Sequence, residues 1–329
     1  MLQMLHARAQ DPHISQFMET PLLRNPALAG IFTGNSRIQG LYRNQWRATG
    51  TPFRTAILGG EYKMPVGKSD DFLTVGANFL FDETGASLLR QTQAMPVVNF
   101  HKSLNANRNS YLSLGVMFGV GTWNLNTRNM SFDNQFIGGV FDPSAPTGER
   151  SAVVGRTFAD MAIGLSYNGE LGEFGNYFLG GSYWHFTHKK VNPNDPADFM
   201  DPKLQLNAGL KAALSELVRI HLEGNYFQQG AQSETLIGGL LYHPLGNDGN
   251  LPGYTMTVGA GAMYRLGDAF IPTGKLIYGP YELAFSYDIN NSPLRTASQS
   301  RGGFEVSLTF KGQPGPNAAI LLRQRCPSF

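Results

Sequence analysis

The sequence predicts an all-β fold: a transmembrane, antiparallel outer-membrane β-barrel of about 14 strands with both termini periplasmic. Apolar and polar residues alternate with period two over long runs, so each run presents one greasy face and one small or polar face. The runs span roughly 9 to 13 residues, which suits a tilted membrane crossing better than the 5 or 6 usual in globular sheets. Charged residues make up 15% of the chain, against roughly 25% in soluble domains. The 39 Gly, 22 Phe and 13 Tyr among 329 residues fit pleated walls and a crowded lumen. A soluble sandwich would alternate as well. Strand length, low charge and aromatics near strand ends (Trp46, Phe81, Trp123, Tyr167, Trp184 and Tyr287, read as an interfacial girdle) decide for the barrel.

Composition excludes other classes. The sequence has no apolar run of about 18 residues, which a membrane-spanning helix would need. A formal charge of +2 supplies no basic stripe for nucleic acid. Cys326 is the only cysteine, so neither a disulfide framework nor a CxxC metal site is present, and no cofactor is expected.

In chain order, residues 1–9 read as the remnant of a signal peptide. Ala7-Arg8-Ala9 before Gln10 fits a small-x-small cleavage site, while Met1 to Leu5 is short of the usual apolar core. An ordinary terminus is the alternative. Residues 10–35 carry Pro12, Pro21 and Pro26, which break regular structure, so this segment adds no strand to the wall. It is expected at the periplasmic mouth, folded into the lumen or facing a periplasmic partner.

The barrel occupies residues 36–311. Its expected strands are Ser36 to Trp46, Phe53 to Lys63, Phe72 to Asp82, Leu88 to Lys102, Ser110 to Trp123, Phe158 to Asn168 and Asn176 to Thr187. The second half follows with Leu204 to Leu214, Val218 to Gln228, Glu234 to His243, Gly253 to Arg265, Ala269 to Tyr278, Tyr281 to Ile289 and Gly303 to Lys311. Alternation justifies them one by one. Leu112, Leu114, Val116, Phe118 and Val120 oppose Ser113, Gly115, Met117, Gly119 and Gly121; Leu283, Phe285 and Tyr287 oppose Glu282, Ala284, Ser286 and Asp288. An even count puts both ends on one side. Gly279-Pro280 and Ser215-Glu216-Leu217 then become periplasmic turns, and the long connections Asn124 to Thr157 and His188 to Lys203 become extracellular loops. Residues 312–329 form a periplasmic tail.

Candidate sites are sparse. His185 and His188 are three apart and face opposite sides of a strand, which argues against a shared metal. The loop "NPNDPADFMDP" has oxygen donors at Asn194, Asp195, Asp198 and Asp201 but lacks EF-hand spacing. Gly119-Val120-Gly121 and Gly259-Ala260-Gly261 begin a dinucleotide fingerprint with no helix to follow, so they read as barrel glycines. On the first strand Arg37, Gln39, Arg43, Gln45 and Arg47 share a face that must turn inward, because a midplane Arg in lipid costs about 2 to 4 kcal/mol. Where the first and last strands close the barrel, Arg43 and Glu305 come to similar depth, and Asp288 on the thirteenth strand faces the same way. A lumenal cluster of the three is expected.

Five motifs in order resemble the PorP/SprF family of type IX secretion system membrane proteins: "SQF" with Gln16 and Phe17; "NPALAG" with Asn25, Pro26, Ala27 and Gly30; "YRNQW" with Arg43, Gln45 and Trp46; "SYDINNSPL" with Asp288 and Asn290; and "GGFEVSL" with Glu305, preceded by Arg301. The closing "RCPSF" agrees except that Ser328 replaces an expected basic residue. The resemblance implies a non-enzymatic barrel integral to the outer membrane of a Gram-negative bacterium, in contact with its lipid. It implies work with periplasmic type IX and gliding components, and support for export or surface attachment of a large secreted adhesin through that adhesin or its C-terminal domain. The motif residues are expected to line the lumen or bind partners. A polar lumen also suits a FadL-like or porin-like small-molecule channel. An outer-membrane hydrolase would need an Asp and His or Ser and His cluster on the extracellular rim, which the sequence lacks.

Overall fold

A computed structural model describes residues 11–45, 53–67, 70–85, 89–105, 110–124, 131–146, 155–172, 174–187, 200–245, 256–292 and 301–312. The expected signal remnant, Trp46, Arg47, His188, Asn194, Asp195, Asp198 and the tail after Gly312 lie outside these residues.

The wall begins with β1 (Ser36–Gln45), β2 (Phe53–Val66), β3 (Asp71–Thr84), β4 (Leu89–Asn105) and β5 (Ser110–Asn124). A two-residue hairpin, β6 (Phe136–Ile137) and β7 (Val140–Phe141), interrupts it in the following connection. The wall resumes with β8 (Arg156–Glu170), β9 (Gly175–Trp184), β10 (Lys203–Ala213), β11 (Arg219–Gln229), β12 (Gln232–Leu245), β13 (Met256–Arg265), β14 (Ala269–Tyr278), β15 (Tyr281–Asn290) and β16 (Arg301–Gly312). Fourteen antiparallel strands close on themselves, β16 pairing with β1. Closure leaves the wall no free edge. The strands match the expected ones, with most ends shifted by one to three residues, some extended and others, such as the end of β9, shortened.

Alternation is resolved as a greasy outside and a polar or small inside. Ile38, Leu58, Phe79, Leu114, Phe118, Leu165, Leu206, Ile237, Phe285 and Leu308 all point outward and exposed. An apolar band of that extent would be untenable in water and belongs in lipid. No helix among the described residues is long and apolar enough to cross a membrane, so the wall crosses by strands.

Parity also corrects the aromatic girdle. Phe81 and Tyr287 do face outward, but Trp123 and Trp184 are only 5% and 4% exposed and point into the barrel. Trp123 shares the inward face of Ser113, Gly115 and Met117, and its ring packs 4.3 Å from that of Phe158. Trp184 donates its indole N–H to Ser182 Oγ at 2.9 Å and lies under the Lys203 ammonium. A strand end therefore does not by itself make an aromatic residue a membrane anchor; its side of the pleat decides.

Strand direction defines two rims. At the near rim β1 begins and β16 ends, and the short connections 67–70, 106–109, 171–174, 214–218 and 279–280 lie there with the longer 246–255. The far rim carries the connections after Asn124 and after Trp184, the two longest of the chain.

Candidate functional site in the filled lumen

Residues 11–35 run through the barrel from one rim to the other, so the first described residue, Asp11, lies at the rim opposite Gly312 and the segment is not confined to one mouth, contrary to expectation. Asp11 sits at the far rim, its carboxylate 2.8 Å from His185 Nε2 and paired with Lys203, and the segment leaves at the near rim into Ser36. Its prolines shape it into short pieces: a 3-10 turn at Phe17–Glu19, one helical turn, α1, at Pro21–Arg24, and a second 3-10 turn at Pro26–Leu28. Such pieces leave backbone groups unpaired, and inside a barrel the wall must satisfy them.

It does so at three places. The first is the barrel seam. Arg43 and Glu305 are directly opposite in the β1–β16 register, and Arg43 bridges Glu305 and Asp288, its Nη2 standing 2.9 Å from Asp288 Oδ2. These three side chains are at most 1% exposed. The segment completes the cluster. Ser15 N–H donates to Glu305 Oε1 at 2.7 Å, Gln16 N–H to Oε2 at 2.6 Å, and Ser15 Oγ donates to Asp288 while accepting from Arg43 and Arg265. Gln16 Nε2 also reaches Glu305 O and Ser286 Oγ. Phe17 then buries itself beside Met18, Leu236, Leu240, Met263 and Ile271.

The second place is a pair of charges on the segment met by opposite charges on the wall. Arg24 Nη1 lies 2.5 Å from Glu223 Oε2, and Glu19 Oε1 lies 2.6 Å from Lys275 Nζ. Lys275 also pairs with Glu282, and Glu282 with Lys311.

The third is a glycine-floored dock for Asn25, Pro26 and Ala27. Asn25 Oδ1 caps the second 3-10 turn by accepting Ala27 N–H at 2.8 Å, while Nδ2 donates to the carbonyls of Leu165 and Gly181 on β8 and β9. A Cβ at Gly164 would fall 1.9 Å from Asn25 Oδ1, one at Gly180 2.8 Å from Asn25 Nδ2, and one at Gly115 2.3 Å from the Pro26 carbonyl carbon. The chain can approach the wall this closely only because three neighbouring strands carry no side chain there. Ala27 O accepts from Asn99 and Ser166, and Ala29 O accepts from Asn99 Nδ2 and His101 Nε2. Gly30, with φ +83°, donates its N–H to Glu61 Oε2 at 2.8 Å; a Cβ on it would meet Thr74 Oγ1 at 2.0 Å.

The other expected site residues within the described chain lie at the far-rim ends of their strands. Gln45 ends β1 over Gly303, Asn290 is buried at the end of β15 beside Gly302, and Arg301 opens β16 opposite Ile289. His185 lies between Asp160 and Asp11, and no cluster able to hold a metal ion occurs among the described residues. Gly119 and Gly261 are wall glycines pressed against Ala94 O and Gly239 O. Below the segment a cavity of about 830 Å³ opens at the near rim, lined by Arg37, Lys211, Arg219, Lys275, Lys311, Glu170 and Glu282 among others.

Sequence reasoning missed Arg24, Glu223, Lys275, Arg265 and the three dock glycines. The inward face of each strand was readable, but partners up to 256 residues apart were not.

The model for the family described as type IX secretion system membrane protein PorP/SprF matches residues 6–310. The chain belongs to the PorP/SprF family. This PorP/SprF barrel is therefore an integral outer-membrane protein of type IX secretion. Among solved structures it is similar to a FadL homologue of Pseudomonas aeruginosa, at 8% identity over 87% of this chain and 92% of that one, TM-score 0.52. It is also similar to a mutant of the TodX monoaromatic hydrocarbon channel, at 11% identity over 90% and 94%, TM-score 0.50. At such identities these likenesses show the fold alone. A search of curated proteins found no match.

Proposed function

We propose that this PorP/SprF barrel is a self-plugged, non-enzymatic docking scaffold that supports export or surface anchoring of a large secreted adhesin. The observation that carries the reading is the filled lumen. Ile14 to Glu19, Leu22 and Ala27 to Ala29 are all buried; buried ion pairs tie the segment to β11 and β14, and buried hydrogen bonds of Ser15 tie it to β1, β15 and β16. A barrel whose bore is occupied by its own chain works through its rims, where partners can reach it. Short turns at the near rim and long connections at the far rim support a periplasmic near rim, placing both ends of the wall and the open cavity toward periplasmic type IX components.

The second reading, a FadL-like small-molecule channel, has the fold likeness in its favour. It requires the segment to move aside. The experiment that tests the scaffold reading is chemical cross-linking of intact outer membranes, purification of the barrel and identification of attached proteins by mass spectrometry. Type IX components and a large adhesin among them are the expected result. A list holding neither overturns it.

A further inference from the structure

The connection between β5 and β8 carries a feature that the lumen does not explain. β6 and β7 form a two-stranded ribbon of its own, Phe136 opposite Phe141 and Ile137 opposite Val140. Gly138 and Gly139, at φ +60° and +84°, make the tight turn between them, a conformation that favours glycine at both places. All four apolar side chains are exposed, Val140 to 70% and Ile137 to 62%.

Hydrogen bonds within the loop brace the ribbon. Gln135 is 5% exposed; its side chain accepts the Phe132 N–H at 3.1 Å and donates to Ala145 O, while its backbone carbonyl accepts the Asp142 N–H at 2.7 Å. Asp142 in turn accepts from the N–H and the hydroxyl of Ser144, which holds its carboxyl below the usual carboxylate range and keeps it ionised. The loop thus orders itself around a buried amide in order to present four hydrophobic groups. A solvated loop has no use for that arrangement.

We infer that this hairpin, Phe136 to Phe141, is a docking surface for an extended β-strand of another protein, one with apolar side chains at alternate positions and Lys or Arg beside them. Among the described residues both ribbon strands are edges, which offer backbone groups for strand addition while the exposed apolar side chains offer contacts to alternate residues. The charge pattern selects the occupant. Asp133 and Asp142 bracket the apolar residues, and residues 131–146 contain no Lys, Arg, Trp or Tyr. Aromatic belts use Trp and Tyr, surface-lying anchors set Lys and Arg beside their apolar residues, and the anionic headgroups of a membrane surface repel carboxylates. A second copy of the hairpin would set carboxylate against carboxylate. A strand flanked by cations meets neither obstacle. The inference does not depend on the secretion reading.

The test places a photoreactive phenylalanine derivative at Ile137, at Val140 and, as a control in the same loop, at Ser131, in the full-length protein in its own outer membrane. Adducts from 137 and 140 are expected to map to a strand of another protein with alternating apolar residues and a neighbouring Lys or Arg, at yields at least tenfold above the control. Asp133→Asn with Asp142→Asn, which keeps the acceptor for Ser144, should lower those yields at least threefold while the barrel stays heat-modifiable. Adducts to lipid, adducts to a second copy, or yields no higher than at Ser131 overturn the inference. A mapped strand from a protein outside the secretion machinery would uphold the docking surface and count against the secretion reading.

Discussion

Glu305→Ala removes the acceptor at the centre of the seam. In the intact protein Glu305 takes the Arg43 guanidinium and the N–H groups of Ser15 and Gln16, so the substitution strands one buried cation and two buried donors together. Breaking a buried pair by removing one partner costs roughly 3 to 5 kcal/mol. Asp288 remains 2.9 Å from Arg43 and softens the loss, which places the expectation near the lower end, at about 3 kcal/mol. Arg43→Ala leaves Glu305 its two backbone donors and Asp288 its contact with Arg265, so it should cost about as much or less. The double variant removes both unlike charges at once and should fall short of the sum by about 0.5 to 3 kcal/mol, the coupling expected of residues in contact. Urea titration in detergent micelles, read by the gel shift between folded and unfolded barrel, measures all three variants against the parent. Losses that add to within about 0.5 kcal/mol would refute the cluster and the register across the seam.

Other perturbations follow from the dock and the rims. Gly164→Val should push Asn25 from its seat, since even a Cβ would lie 1.9 Å from its Oδ1; single-channel recording should find openings absent from the parent, and a silent channel would argue that the dock is dispensable. Asn25→Ala should weaken the segment's hold by about 1 to 3 kcal/mol, because the second 3-10 turn loses its cap and the amide donations to Leu165 and Gly181 are lost; faster limited proteolysis within residues 11–35 checks it. Protease added to intact cells should cut between Asn124 and Arg156, whereas cleavage only after permeabilisation would invert the proposed orientation. Arg24→Ala should leave Glu223 without its guanidinium partner, with the His221 imidazole remaining 2.6 Å away, and Arg24→Ala with Glu223→Gln should recover part of the stability lost, as judged by the same urea titration.

The wall was legible because a strand in lipid leaves a strict record. From Tyr111 to Trp123 every second residue is small or buried and every other one faces lipid, and the same parity would have turned Trp123 inward had it been applied to the strand end. The seam was legible too, since closure forces β1 against β16 and charge does the rest: Arg43 meets Glu305 residue for residue. The path of residues 11–35 was not. Its turns are built from Pro, Asn and Gly with no period, and its docking floor is three glycines, Gly115, Gly164 and Gly180, each of which reads alone as an ordinary barrel glycine. Only their adjacency across β5, β8 and β9 makes them a seat for Asn25 and Pro26. Pairs such as Arg24 with Glu223 could not be chosen from sequence, because several inward-facing charges of either sign were available to each partner.

The central claim is that the chain plugs its own barrel, and planar-bilayer conductance addresses it most directly. The purified full-length protein should remain closed, and the variant lacking residues 11–30 should keep a heat-modifiable wall, conduct steadily and lose display of the secreted client in cells. A steady open pore in the full-length protein, or a deletion variant as silent as the parent, would contradict the account.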